Sequence, residues 1–180
     1  MFSFFGKKNE EPVIKITDHV WISSNAKMNA CINSLKEKPG VIFICWFEDT
    51  LQQLQSFFGH HSVNAEAIMH RQASKGYIHK RLIIFAEHYP LAAKERELFV
   101  SLELREAVIY NALDEPLFQY FGGENIKALL ANLDMQPSES LEHPMINRAL
   151  KNAQGKIAKQ ITLEQTARSQ HEWFKRNLGY

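Results

Sequence analysis

Continuous apolar runs alternate with amphipathic stretches along the first two thirds of the chain. The runs are rich in β-branched and aromatic residues and lie at 41–47, 81–86 and 107–113. Such runs are typical of strands buried on both faces, as in a parallel sheet covered by helices. Apolar residues recur at helical spacing in the segments around these runs, at 24–37, 48–58 and 92–104. The alternation predicts an α/β layered core that covers residues 13–113.

The two ends of this core have different patterns. Residues 13–22 are apolar on either side of Asp18-His19, which predicts an extended segment or a short hairpin. Residues 1–12 precede them as a tail, with three phenylalanines in the first five positions and a polar stretch that ends in proline. We interpret this tail as a frayed end or as a short anchor for peripheral contact with a membrane.

The last third of the chain, residues 114–180, is predicted to be a helical extension. Asp114 is a capping residue for a helix that ends at Gly122-Gly123, and a second helix is expected at 124–133. A third helix follows His143-Pro144. The capping-box pattern Thr162-Leu163-Glu164-Gln165 predicts the start of a last helix, and Gly179 its end.

Composition narrows the possible functions. The chain has 180 residues, 45% of them hydrophobic, and a formal net charge of +1. Charge this balanced gives no field to hold a polyanion, so nucleic acid is not expected as a partner. No apolar run is long enough to cross a bilayer. Cys31 and Cys45 lie among apolar residues and are interpreted as buried thiols of a cytoplasmic protein.

Standard catalytic motifs are missing from the sequence. There is no glycine-rich phosphate loop followed by lysine, no Gly-x-Ser-x-Gly and no Cys-x-x-Cys. The eight histidines do not fall at the spacing that places two metal ligands on one helical face. We therefore assign no catalytic, cofactor-binding or metal-binding residue and expect no cofactor.

A few residues are candidates for contact with a partner or ligand. Glu87 and His88 directly follow a predicted strand, and α/β sheets bind ligands beyond the carboxyl ends of their strands. Aromatic pairs form another candidate, because aromatic residues are enriched in protein interfaces. The predicted interaction surface consists of Trp46, Phe47, Glu87, His88, Trp173 and Phe174.

Two stretches of the C-terminal third carry a family resemblance. Residues 111–126, Asn-Ala-Leu-Asp-Glu-Pro-Leu-Phe-Gln-Tyr-Phe-Gly-Gly-Glu-Asn-Ile, resemble the end of the second motor lobe of SecA, the preprotein translocase ATPase. Residues 142–157, which include Glu142-His143-Pro144-Met145 and Ala153-Gln154-Gly155-Lys156, resemble the start of that family's long scaffold helix. The resemblance implies a core like a helicase C-terminal lobe.

The resemblance also shows where the sequence departs from the family. Phe99, Ser101 and Leu104 stand where the family places the arginines that contact ATP phosphates, and the lobe with the phosphate loop is missing. The resemblance thus implies a degenerate, non-catalytic SecA-like domain that binds a translocase component, a preprotein or another ATPase. One alternative is an accessory lobe that completes an ATP site on a partner through Arg96 or Arg105. Another is a small-ligand domain that uses Glu87 and His88.

Overall fold

A computed structural model describes residues 12–121, 136 and 138–180. The tail before Pro12, the predicted helix end at Gly122-Gly123, the predicted helix at 124–133 and part of the first SecA-like stretch lie outside the described residues. The described strands are β1 (Lys15–Trp21), β2 (Ile42–Cys45), β3 (Glu66–Met69), β4 (Ile83–Phe85) and β5 (Glu106–Ala112). The described helices are α1 (Ser24–Glu37), α2 (Glu48–His60), α3 (Lys75–Ile78), α4 (Ala92–Ser101), α5 (Pro116–Phe121), α6 (Pro144–Ala158) and α7 (Gln170–Leu178), with a 3₁₀ turn at His70–Gln72.

The five strands form one parallel sheet in the order β1-β5-β4-β2-β3. This confirms the predicted α/β class with a parallel-sheet core. β1 pairs with β5 along its whole length, from Lys15 opposite Glu106 to Trp21 opposite Ala112. Residues 13–22 therefore contain a single strand rather than a hairpin.

Helices cover both faces of the sheet. Neighbouring residues of a strand point to opposite sides, so each strand contributes side chains to both layers of helices. On β2, Phe43 and Cys45 face α1 and α2, whereas Ile42 and Ile44 face the layer that contains α4, α5, α6 and α7. All four side chains are fully buried, so the continuous apolar run of β2 follows from helices on both of its faces.

The helices that follow residue 113 share the core of the sheet. Ile146 and Ile157 of α6 and Trp173 and Phe174 of α7 are fully buried in the same apolar cluster as Phe85 of β4. The sequence boundary at 113/114 remains a prediction, but the segment after it covers one face of the sheet in the described structure. Within the described ranges, every helix is too short or too polar to cross a lipid bilayer.

Several helix ends differ from the predicted ones. α2 runs two residues beyond the predicted segment 48–58, through Gly59 to His60. α7 begins at Gln170, and the Ser169 hydroxyl accepts a hydrogen bond from the Glu172 N–H. The capping box predicted at Thr162 is therefore wrong. Gly179 ends α7 in the left-handed conformation, with φ of 78°, as predicted.

Candidate functional site

The carboxyl ends of β2 and β4 form the topological switch point of the sheet. The two strands are neighbours, but the chain leaves β2 towards β3 on one side and leaves β4 towards β5 on the other. Ligands of open α/β sheets bind in the crevice at such a point. Trp46, Phe47, Glu87 and His88 all lie here, as expected from their positions after the strands.

Glu87 fills the start of α2 at this switch point. Its Oε1 accepts hydrogen bonds from the backbone N–H groups of Trp46 and Phe47, both at 3.1 Å. Its Oε2 accepts one from the Thr50 hydroxyl at 2.7 Å. The start of a helix attracts anions because its N–H groups are unpaired and its dipole is positive there. A carboxylate of the chain itself therefore occupies the anion-binding position.

A buried ion pair lies next to Glu87. The Lys27 ammonium group donates a hydrogen bond to the carbonyl of Ala86 at 2.7 Å and forms a salt bridge with Glu115. Burial opposes the charge on Lys27, but Glu115 and Glu87 raise its pKa above the ordinary value, so it stays protonated. Burial raises the pKa of Glu87 to about 7, although Lys27 and the hydrogen bonds favour its charged form.

His88 is clamped between two buried carboxylates. Its Nδ1 lies 2.7 Å from Glu95 Oε1 and its Nε2 lies 2.7 Å from Asp18 Oδ1. Burial alone would lower the pKa of His88, but Glu95 and Asp18 raise it well above 6.5. Gln154 of α6 donates a hydrogen bond to Glu95 Oε2 at 2.8 Å. The imidazolium group thus links β1 and α4 to the end of β4, and Gln154 links α6 to the same cluster.

The arrangement leaves Glu87 and His88 without free polar atoms for a ligand. Both oxygens of Glu87 and both ring nitrogens of His88 are within hydrogen-bond distance of partners in the chain. The two side chains are also buried. This geometry does not favour the small-ligand alternative. Within the described residues, no group of His, Cys, Asp and Glu side chains could hold a metal ion.

The six residues predicted to form the interaction surface are all interior. Trp46 is 5% exposed, the other five are less exposed, and Trp173 and Phe174 are fully buried. The Trp173 Nε1 donates a hydrogen bond to Glu164 at 2.8 Å. Little of their surface reaches solvent, and the assignment of these six residues as contact residues stays a prediction.

A groove runs along α4 beside the switch point. It has a volume of 740 Å³. Its floor consists of Trp46, Phe47 and Tyr89, and Leu98 and Ser101 of α4 form one wall. The ring of Tyr89 lies 5.1 Å from that of Trp46 and stacks on Phe47 at 5.5 Å between centroids. We call this feature the α4 groove.

Charged residues line the rim of the α4 groove and pair with one another. Arg71 and Arg168 both bind Glu48, at 3.0 and 3.3 Å, and Arg176 donates a hydrogen bond to the carbonyl of Thr166 at 2.9 Å. The three arginine side chains are between 48% and 63% exposed, and such surface pairs contribute little to stability. The rim is nearly neutral, so an apolar or aromatic ligand suits the groove better than a highly charged one.

Two polar atoms of residues that line the groove have no hydrogen-bond partner among the described residues. The Nε1 of Trp46 is buried and makes no hydrogen bond with any described residue, and neither does the Nδ1 of the adjacent His70. Their rings lie 4.8 Å apart. Burial lowers the pKa of His70, which favours its neutral form. An unpaired buried donor costs free energy.

Sequence reasoning missed the partners of Glu87 and His88. Lys27 lies on α1, Asp18 on β1, Glu95 on α4, and Glu115 just before α5. Of these four, Lys27 alone stands between two apolar neighbours, Ala26 and Met28, whereas Asp18, Glu95 and Glu115 each have a polar or charged neighbour. A charged residue is buried only if it finds an opposite charge, which a single sequence does not show.

The two arginines considered for action on a partner's ATP are both exposed. Arg96 lies on α4, and its Nη2 donates a hydrogen bond to the carbonyl of Pro12 at 3.4 Å. Arg105 directly precedes β5, and its carbonyl accepts a hydrogen bond from the N–H of Lys15. Arg105 therefore lies at the amino edge of the sheet, opposite the switch point.

Comparison with known proteins finds a SecA-like segment in this chain. It is 42% identical over 48 residues to protein translocase subunit SecA of Dechloromonas aromatica, a match that covers 27% of this chain and 5% of that protein. With the SecA subunits of Treponema denticola and Pelagibacter ubique, the identities are 41% over 46 residues and 37% over 51 residues. These matches cover 26% and 28% of this chain and 5% and 6% of the two relatives. No protein-family model matches the chain.

Proposed function

We propose that this chain is a non-catalytic protein-binding module that works in protein export on the cytoplasmic side. The observation that carries the proposal is the Glu87 carboxylate at the start of α2. A ligand phosphate at this switch point would meet the buried carboxyl group of Glu87 in place of free N–H donors. The site is adapted to hold the chain's own acid rather than a nucleotide.

The positions at which the resemblance expects arginines support the same conclusion. Phe99 is 1% exposed and packs on Phe85, with 4.8 Å between the ring centroids. Its side chain stabilises the core and offers no charge to a phosphate group. The degenerate lobe keeps a SecA-like segment and uses its helices for packing.

We further propose that the partner is a component of the translocase, with SecA itself as the first to test. The SecA-like segment supports this choice. The α4 groove is the contact site in this proposal because it combines an aromatic floor with a rim of half-exposed arginines. Buried aromatic positions surrounded by a polar rim are typical of energetically important interface centres.

A thermal-shift measurement with ATP tests the non-catalytic part. A ligand at about 100 times its Kd stabilises a protein by about 2.7 kcal/mol, and each kcal/mol shifts the melting temperature of a chain of this size by about 2–4 °C. We expect no shift with ATP and Mg²⁺ at about 5 mM, because the anion position is filled. A rise of several degrees would refute the non-catalytic assignment and favour the accessory ATP-site alternative.

A binding measurement with purified SecA tests the interaction part. The full chain is immobilised, and capture of SecA is compared between the parent and two variants of α4. Leu98→Glu places a charge on the groove wall, whereas Val100→Glu is the matched control because Val100 is 41% exposed and lies outside the groove. We expect capture by the parent and the control and loss of capture by Leu98→Glu. No capture by the parent, or equal capture by all three, would contradict this partner or this site.

A further inference from the structure

The outer side of the helix pair α1 and α2 is depleted of charge. Residues 24–35 and 50–59 contain one charged residue, Lys27, and it is buried. At the chain's average of 23% charged residues, these two ranges would hold about five. By comparison, α4 carries four charged residues among ten. We call the exposed and half-buried side chains of residues 24–35 and 50–59 the α1/α2 face.

The exposed side chains of the α1/α2 face are mainly amides. An amide both donates and accepts hydrogen bonds, so it can pair with a copy of itself. A groove of 680 Å³ lies on this face and is lined in part by Met28 and Phe57, both half-buried. Interface centres are depleted of charge and enriched in methionine and aromatic residues. The exposed amides are Asn25, Asn29, Asn33, Gln52, Gln53 and Gln55.

The two ends of α1 carry opposite charges. At its start, the exposed Asp114 carboxylate accepts a hydrogen bond from the Ser24 N–H at 2.9 Å. At its end, two lysines and one glutamate are exposed, namely Lys36, Glu37 and Lys38. When two copies pack with their α1 helices antiparallel, Asp114 of each copy lies towards the basic end of the other. Antiparallel packing also brings opposite ends of the helix dipoles together.

We propose that a second copy of this chain docks on the α1/α2 face, with the two α1 helices antiparallel. A two-fold contact uses the same patch on both copies, so the patch must be complementary to itself. The α1/α2 face meets this condition because its centre brings no like charges together. Each helix is about 20 Å long, and packed helices lie about 10 Å apart. A face of this size is small for a permanent dimer, so the association is weak and reversible.

The dimer leaves the α4 groove accessible. α1 and α2 pack on one face of the sheet, and α4 packs on the other. One dimer therefore presents two α4 grooves, and a partner with two matching sites binds it more tightly than it binds a single chain. This inference goes beyond the proposed function and does not depend on SecA as the partner.

Sedimentation velocity of the full chain tests the dimer. A dimer with a Kd of about 50 µM holds about four fifths of the chains at about 500 µM and about one seventh at about 5 µM. We expect the sedimentation coefficient to rise between these concentrations from the value of a monomer towards that of a dimer. A monomer at both concentrations would overturn the proposal.

Charged variants at Gln53 test the surface. Gln53→Lys or Gln53→Glu alone places like charges on both copies, whereas an equimolar mixture of the two variants places unlike charges on them. We expect each variant alone to associate at least about five-fold more weakly than the parent, and the mixture to regain the lost association. This recovery distinguishes repulsion at the interface from damage to the fold.

Gln119→Lys is the matched control, because Gln119 is exposed on α5, which packs on the other face of the sheet. It should associate like the parent. Parent-like association of the Gln53 variants would overturn the proposal in favour of a different surface. A mixture that associates no better than either variant alone would also overturn it. None of these measurements contains SecA, so failure of the export partner leaves them unaffected.

Discussion

Replacement of Glu87 by glutamine tests how an ionisable group at the switch point affects stability. Glutamine keeps an acceptor oxygen for the N–H groups of Trp46 and Phe47, and the Thr50 hydroxyl can rotate to accept from the new amide. The substitution therefore preserves the local geometry and removes only the titration.

The expected effect follows from the pKa in the two states. The pKa of Glu87 is raised from 4.5 to about 7 by burial. Between these values the folded protein keeps a proton that the unfolded chain has released, so stability falls as the pH rises through this window and then levels off above it. A pKa shift of this size corresponds to about 3 kcal/mol in the free energy of unfolding. The stability of Glu87→Gln relative to the parent should thus increase by about 3 kcal/mol between pH 4.5 and 8.

Urea denaturation of both proteins over this pH range measures the difference. Other buried groups titrate in both proteins, so their contributions cancel in the difference between the two free energies of unfolding. Glu97→Gln is the matched control, because Glu97 is 76% exposed and lies 3.8 Å from Lys94, and its difference from the parent should stay within about 0.5 kcal/mol. Parallel stability curves for the parent and Glu87→Gln would refute the argument that burial of this carboxylate weakens the fold at neutral pH.

Three further predictions concern the interior. His88→Leu leaves two buried carboxylates without a cation and should cost about 3–5 kcal/mol in urea denaturation, whereas the exposed His79→Leu should change stability by at most about 0.5 kcal/mol; equal effects would contradict the clamp. Trp173→Ala should cost about 3–5 kcal/mol and keep a single transition by fluorescence and circular dichroism, because α7 shares the core of the sheet; two separate transitions would argue against a shared core. Cys31 and Cys45 should react with a thiol reagent only in urea, because burial raises the pKa of Cys31 to about 12 and that of Cys45 well above 9.0; reaction in the folded protein would contradict their burial.

Three of the five described strands, β2, β4 and β5, could be predicted from the continuous apolar runs that overlap them, whereas β3 was not predicted. β2 has no polar position to interrupt its apolar run, and the short-range pattern is enough to identify it. The start of α7 could not be predicted in this way. Glu164 accepts hydrogen bonds from Trp173 Nε1 and from the Tyr89 hydroxyl. These contacts hold the segment after Thr162 against α7 and Tyr89 in place of a helical turn, and Ser169 caps the helix.

The location of the candidate site was predictable, but its chemistry was not. The position of Glu87 and His88 after a strand placed them correctly at the switch point. Their partners are far away in the sequence: Asp18 is 70 positions from His88, and the neighbouring pair of Lys27 and Glu115 is separated by 88 positions. No local pattern encodes such pairs, because tertiary structure decides which buried charges meet.

The pairing of β1 with β5 determines the order in which the chain can fold during synthesis. β1 lies at the edge of the sheet, and the strand described next to it begins at Glu106. About 90 residues separate the two strands, which takes about 5–20 s of synthesis at typical rates. Among the described strands, β1 is thus synthesised first and paired last, and His88 gains its second carboxylate, Asp18, only when β1 joins the sheet. Until residue 112 has emerged, the apolar segment 13–22 remains available to chaperones.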